Sequence, residues 1–358
     1  MKSNHLRLLL VAGDEVAPAS RYRIHQFVPY LRARGHQVST FSPFPAYYWH
    51  PPKVSLRALR WGLYYLGSTL RVLSCLPAIQ SAGRYDVVMM NRSFVPEHWI
   101  LALERRLQRV NPRLVFDFDD AIHLGINEKK IAEIIQRSAW VTPGNQFLAD
   151  FAQQHNSNVT VIPTVVDTDK FVPAGERAPG PVRVGWSGSR DSTLHHLPLL
   201  KDILVELARR VEFEFVVISD LQPPEIPGVK SRFIPWSAQS EAYDHQQIDI
   251  GLMPLGDSPF DRGKCGAKLL LYGAVGAPSV ASPVGANREI IQQEQTGCLA
   301  GESQEWVDAL ERLIRNPALR RQLGDAARQR IEAAYSVRAI LPRLEAIFEQ
   351  VTDLHPRN

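Results

Sequence analysis

Short apolar runs alternate with amphipathic stretches along the first half of the chain. Residues 6–12 form an apolar run that reads as a buried strand. A helical pattern follows over 22–34, with Gly35 at its C-cap position. Residues 37–41 alternate as a strand does, and 86–90 and 114–118 read as buried strands separated by a helix over 96–110. Two more strands are predicted at 140–142 and 159–162. This rhythm implies βαβ units and a parallel sheet. The segment 171–181 (FVPAGERAPGP) interrupts it with three prolines and two glycines and reads as a linker. The alternation then restarts with strands at 182–186, 213–218, 248–253 and 279–281, and helices at 197–210, 267–275 and 306–315. A last amphipathic stretch, 337–351, can pack on either half. The expected organisation is a first doubly wound domain over 1–170, a linker over 171–181, a second over 182–340, and a C-terminal helix over 341–358 returning to the first. Ligands of such sheets sit at the carboxyl ends of the strands.

A chain of 358 residues exceeds what one hydrophobic core usually supports, which agrees with two domains. The cysteines Cys75, Cys265 and Cys298 fit neither a disulfide framework nor a C-x-x-C site, which suggests a reducing, cytoplasmic compartment. The net charge of +4 suits phosphate-bearing ligands or an anionic membrane face but is too weak to argue for nucleic acid. The apolar run at the N-terminus is too short for a signal peptide. The nearest candidate for a membrane span, 54–76, is broken by Arg57, Arg60 and Arg71.

Two glycine-rich segments carry the chemistry. In 182–193 (VRVGWSGSRDST) a strand runs into Gly-x-x-Gly-Ser-Arg just before a helix. Glycine lets the backbone approach a phosphate, amide N–H groups favour its charge, and Ser187, Ser189, Ser192 and Arg190 add donors. The alternative is a plain strand-to-helix turn. In 261–268 (DRGKCGAK), Arg262, Lys264 and Lys268 surround Gly263 and Gly266 at the start of an apolar helix. A solvated basic turn is the alternative. Two anion sites in one domain match a diphosphate, which needs charge from more than one direction.

With these residues in view, the run GKCGAKLLLYGAVGAPSVASPVGANREII resembles the donor-binding region of family 4 glycosyltransferases. The matching positions are Lys264, Cys265, Gly266, Lys268, Tyr272, Gly276, Pro278, Ser282, Pro283, Val284, Gly285, Asn287 and Glu289. GWSGS at 185–189, DFDDA at 117–121 and IPTVVD at 162–167 are similar to landmarks of the same branch. The resemblance implies a GT-B fold, two Rossmann-like α/β domains facing a cleft, with the donor nucleotide-sugar (UDP-, GDP- or another) held mainly by the second. It implies sugar transfer with retention to a glycan or lipid-linked glycan, and no required metal or other cofactor. Gly188, Ser189, Arg190, Lys264, Cys265, Gly266, Lys268, Gly285 and Asn287 would bind the donor, Trp236 would either stack on its base or pack in the core, and Lys264 and Lys268 would stabilise the leaving diphosphate. Closure about 171–181 would exclude water. One departure stands out. Where many members carry two glutamates eight positions apart, this chain has Gly263 and Leu271, so Asp257 or Asp261 substitutes, ribose recognition differs, or activity is lost.

In the first domain Asp117, Asp119 and Asp120 precede His123. A D-x-D pattern can hold Mg²⁺ or Mn²⁺, or resemble an aspartate nucleophile motif, or cap a helix. The reading preferred here has Asp119, Asp120 and His123 acting catalytically toward the acceptor or sugar hydroxyls. Arg21, Arg23 and Arg92 are the acceptor-binding candidates, with a donor-phosphate contact or an ordinary solvated turn the alternatives for Arg21 and Arg23. The basic-aromatic stretch 51–77 can cover the domain or lie on an anionic membrane at the inner face. Rival functions are a nucleotide-sugar epimerase, a nucleotide-sugar-binding protein without turnover, and a metal-dependent transferase.

Overall fold

The computed structural model describes residues 5–14, 16–45, 57–175 and 180–356. By compactness the chain divides into Met1–Pro163 with Ile340–Asn358, and Thr164–Ala339. The first unit holds β1 (Arg7–Val11), β2 (Gln37–Phe41), β3 (Val87–Asn91), β4 (Leu114–Phe118) and β5 (Trp140–Pro143) in the order β2-β1-β3-β4-β5, all parallel. β3 and β4 are buried along their whole length, as strands covered by helices on both faces must be. The second unit holds β6 (Val182–Gly188), β7 (Phe213–Ser219), β8 (Ser231–Pro235), β9 (Ile250–Met253), β10 (Ser279–Ala281) and β11 (Gly297–Leu299). Their order, β11-β10-β9-β6-β7-β8, is again all parallel. Each sheet therefore winds outward from its first strand in both directions. The reversal lies between β1 and β3 in one unit and between β6 and β9 in the other, and at such points a crevice opens beyond the strand ends.

Some elements differ from the expectation. The helix expected over 22–34 is two pieces, Pro18–Arg23 and Val28–Ala33, because Pro29 has no N–H to continue a helix through residue 25. The helix expected from 96 begins only at Ala102, since the buried Lys130 ammonium donates to the Val95 and Glu97 carbonyls at 2.7 and 3.1 Å. Residues 159–162 make a single bridge, Val159 to Val141, rather than a strand. The segment after Pro163 belongs to the second unit well before residue 182. Val166 bridges Ser336, Phe171 is buried, and Arg328 donates to the Thr168 and Phe171 carbonyls at 2.9 and 2.5 Å. Of the expected linker, 176–179 lie outside the described residues. The final helix, Val337–Leu354, is part of the first unit from Ile340 onward, where Glu345 meets His36 at 3.2 Å.

Candidate functional site

In the second unit the two glycine-rich turns follow neighbouring strands. β6 and β9 pair in register at Val184↔Ile250 and Gly185↔Gly251, so the loops after Gly188 and Met253 leave the same sheet edge. They meet. A Cβ built on Gly188 would stand 2.4 Å from the buried Trp186 ring and 3.1 Å from Lys268 Cε. Lys268 Nζ lies 5.3 Å from the centre of the Trp186 ring. Gly188, Lys268 and the indole thus form one packed corner, and Ser189 and Arg190 stand exposed beside it.

The second turn is set by two left-handed glycines. Gly266, at φ 66°, precedes the helix Ala267–Ala274, and a side chain there would strike Ile290 Cδ1. Gly285, at φ 50°, lies so close to Arg262 that a Cβ would sit 2.8 Å from its carbonyl oxygen, which locks the 282–287 loop beneath the turn. Asn287 is buried and donates to the Ser282 carbonyl at 3.0 Å, while its Oδ1 has no partner among the described residues. Cys265 is buried with Sγ 3.7 Å from the Gly263 carbonyl oxygen. Lys264 Nζ sits 4.3 Å from the centre of the Phe260 ring. Lys264 and Lys268 both act electrostatically on His196, so two ammonium groups stand near the start of this helix, an arrangement that attracts an anion.

Two side-chain systems brace it, and sequence reasoning missed both because their members are far apart in the chain. Trp236 Nε1 donates to Glu241 at 3.0 Å, His245 Nδ1 lies 2.7 Å from the Glu241 carbonyl oxygen, and His245 Nε2 lies 3.1 Å from Ser187 Oγ. The Ser187 amide then donates to the Tyr272 hydroxyl at 2.8 Å. Burial pushes that hydroxyl's pKa strongly upward, so it stays protonated. The expected base-stacking residue, Trp236, is tied by this relay to the first turn. In the second system His196 Nε2 lies 2.8 Å from Asp261 Oδ1, and Ser258 Oγ donates to Asp261 Oδ2 at 2.6 Å. Burial lowers the His196 pKa more than the Asp261 hydrogen bond raises it, and Lys268 and Lys264 add to the lowering. Burial alone would raise Asp261, but hydrogen bonds from Ser258 and His196 leave it below the usual carboxylate range.

These contacts bear on the missing glutamates. Asp261 is engaged by His196 and Ser258, and Asp257 receives both Arg262 guanidinium donors at 2.7 and 2.8 Å.

The first unit has its own hollow at its reversal point, bounded by Gly13, Asp14, Ser20, Asn91, Arg92 and Ser93. Arg92, at φ 63°, reaches Asp119 at 3.2 Å and Asp120 at 2.5 Å, so these three candidates come together. Burial raises the Asp119 pKa; Arg92 opposes the rise, and Asp120 reinforces it. His123 is buried and stacks on Phe151 with ring centres 4.0 Å apart; its Nδ1 has no partner among the described residues, and burial lowers its pKa. Arg23 is placed differently from the acceptor-facing role expected of it. It is 2% exposed, pairs with Asp117 at 2.5 Å, and donates to the Ile162 and Thr142 carbonyls. Asn91 and Thr142 complete the Asp117 shell at 2.8 Å each. The neighbouring Arg21 lies over the Tyr22 ring at 4.6 Å.

Comparison with known proteins follows the same outline. Three solved structures align over nearly the whole chain. HepE of Anabaena, solved with UDP and glucose, aligns with TM-score 0.64 and 16% identity, covering 97% of this chain and 100% of that one. Sucrose-phosphate synthase of Thermosynechococcus elongatus gives 0.69 and 15%, covering 97% and 99%. A glycosyltransferase of Rickettsia africae gives 0.67 and 13%, covering 99% and 100%. The fold is GT-B. Within this GT-B chain, residues 183–316 match the family model for glycosyl transferases group 1. That span contains both glycine-rich turns and both bracing systems. No curated protein sequence matches the chain.

Proposed function

We propose that the chain is a glycosyltransferase that takes a sugar from a nucleoside-diphosphate donor, UDP-linked in the first instance, to a glycan or lipid-linked glycan. The observation that carries the reading is the corner where Gly188 meets Lys268, which makes one anion cradle from two turns distant in sequence. The group 1 match over 183–316 and the UDP bound to the structurally similar HepE both support it. In this reading Gly188, Ser189, Arg190, Lys264, Gly266 and Lys268 hold the diphosphate, with Cys265, Gly285 and Asn287 shaping the turn. Trp236 flanks the base. Lys264 and Lys268 stabilise charge on the leaving diphosphate as the glycosidic bond breaks, and the sugar keeps its anomeric configuration. Arg92, Asp119, Asp120 and His123 orient hydroxyl groups at the first unit. Arg23 is left out of acceptor binding, because it is buried in its ion pair with Asp117.

A thermal-shift panel with UDP, GDP, ADP and dTDP on the wild-type chain and Lys268→Ala tests this. At 100 times its dissociation constant a ligand specific to the folded state adds about 2.7 kcal/mol. A shift with UDP that Lys268→Ala abolishes supports the reading, and no shift with any nucleotide overturns it. A second reading, donor binding without turnover, draws on Gly263, Leu271 and the prior engagement of Asp257 and Asp261. It predicts a UDP shift but no UDP release from any mixture of donor and acceptor.

A further inference from the structure

One buried side-chain pair ties the two glycine-rich turns to each other. The first turn runs from Gly188 and Ser189 straight into the short helix Arg190–His195, whose C-cap residue is His196. Thr193 anchors that helix, its hydroxyl 3.0 Å from the Ser189 carbonyl oxygen and 2.7 Å from Ser219 Oγ. The second turn opens with the helix Pro259–Arg262, capped by Ser258, whose hydroxyl accepts from the Asp261 amide at 3.2 Å. Asp261 serves both turns. Its Oδ2 accepts from Ser258 Oγ at 2.6 Å, its Oδ1 lies 2.8 Å from His196 Nε2, and its backbone carbonyl accepts from the Lys264 amide at 3.0 Å. His196 and Asp261 are each 8% exposed. A chain of bonds therefore leads from the helix after Gly188, through His196 and Asp261, to the backbone of Lys264.

The protonation of this pair depends on what stands beside it. Asp261 is held ionised by its hydrogen bonds, so Nε2 of a neutral His196 carries the proton that Asp261 accepts. Nδ1 is then an acceptor with no partner among the described residues. The charged groups acting on His196 from neighbouring elements are Asp261, Lys268 of the helix Ala267–Ala274, and Lys264 of the turn between; on its own helix Asp191 and His195 are exposed. Burial and the two ammonium groups both disfavour a further positive charge, which keeps the ring neutral. A diphosphate held by those lysines reverses the balance, because it cancels their charge and adds negative charge of its own. Proton and diphosphate then favour each other's binding, and by equal factors. We propose that His196 is a positioning residue of the diphosphate cradle, holding the Lys264 turn to the Gly188 turn through Asp261 and taking up a proton at its buried Nδ1 when the diphosphate binds. The inference rests on the donor reading above.

Titration calorimetry of UDP on the full wild-type chain, His196→Gln and His196→Phe, between pH ~6 and ~8, tests this. Glutamine sets an amide N–H near the place of Nε2 but does not titrate; phenylalanine keeps a ring and loses the bond. At pH ~8, where His196 is neutral, His196→Gln should bind UDP close to the wild type, and His196→Phe at least about fivefold more weakly. The terminal phosphate of UDP titrates in the same range, so the quantity read is the ratio of wild-type to His196→Gln affinity, in which that titration cancels. The ratio should rise severalfold as the pH falls to ~6, with no such rise for uridine. A ratio that stays constant with pH overturns the proposal, and so does a His196→Phe chain that binds UDP as the wild type does. A wild-type chain that binds no UDP at any pH overturns the donor reading and this inference with it, and the wild-type titration alone tells that failure from the other two.

Discussion

Replacing Gly188 with alanine probes the corner on which the functional reading rests. The added methyl would lie 2.4 and 2.8 Å from two carbons of the Trp186 ring and 3.1 Å from Lys268 Cε. Trp186 is fully buried in the core of the second unit, so the ring has little room to yield. Overpacking of this kind costs about 1–3 kcal/mol. For a unit of this size that lowers Tm by roughly 2–12 °C. The lysine must also give way by a few tenths of an ångström, which weakens nucleotide binding along with stability. Gly62 is the matched control. It lies inside the helix Arg57–Ser81, and nothing stands within 4 Å of its added Cβ. Gly62→Ala should therefore stabilise the protein by about 0.5–1 kcal/mol through helix propensity alone. Calorimetric scans of both variants, with and without UDP, measure the two effects. If Gly188→Ala melts at or above the wild-type temperature, or keeps the full UDP response, the packing of Trp186, Gly188 and Lys268 described above is wrong.

Other perturbations test separate parts of the account. Arg23→Ala leaves Asp117 buried without its ion-pair partner and should cost about 3–5 kcal/mol in chemical denaturation. Acidification should destabilise the chain. His123 and His196 have pKa values lowered in the folded state, so the unfolded chain binds protons more readily, and stability present above pH ~6.5 is lost as pH falls below it. His123→Phe, which retains stacking on Phe151, should flatten that slope in melts recorded against pH. Trp236→Ala removes both the aromatic face and the bond to Glu241, and should weaken UDP binding more than it weakens binding of inorganic pyrophosphate, as read in competition titrations.

Much of the architecture was legible because strands buried on both faces announce themselves. Residues 114–118 and 279–281 were read with their observed bounds, since each is a short run of apolar and small residues between turns, broken in the first only by Asp117. The errors arose where a tertiary contact overrode local pattern. Lys130, 35 and 33 residues downstream of Val95 and Glu97, takes the carbonyls that a helix starting at 96 would need. Arg328 gathers residues 168–171 into the second unit, although 168–170 were read as the end of the first domain and Phe171 as the start of the linker. The helix Pro317–Ala334 went unread even though Asn316 caps it by accepting from Leu319, with proline at the first helical position. At the candidate site, glycines and lysines were visible because two local segments each repeat a recognisable spacing. The His196–Asp261 pair and the Trp236–Glu241–His245–Ser187–Tyr272 relay were not, because only folding brings their members together. Arg23 was misread for the same reason: nothing near it in sequence reveals that Asp117 lies across the sheet.

Titration calorimetry of UDP against uridine, on the wild-type chain and on Lys264→Ala and Lys268→Ala, measures the diphosphate cradle itself. The account predicts that UDP binds far more tightly than uridine, and that each lysine variant loses about 1.5–3 kcal/mol of UDP affinity, roughly 10- to 160-fold, with uridine binding little changed. Equal affinities for UDP and uridine, or lysine variants that bind UDP as the wild type does, would contradict it.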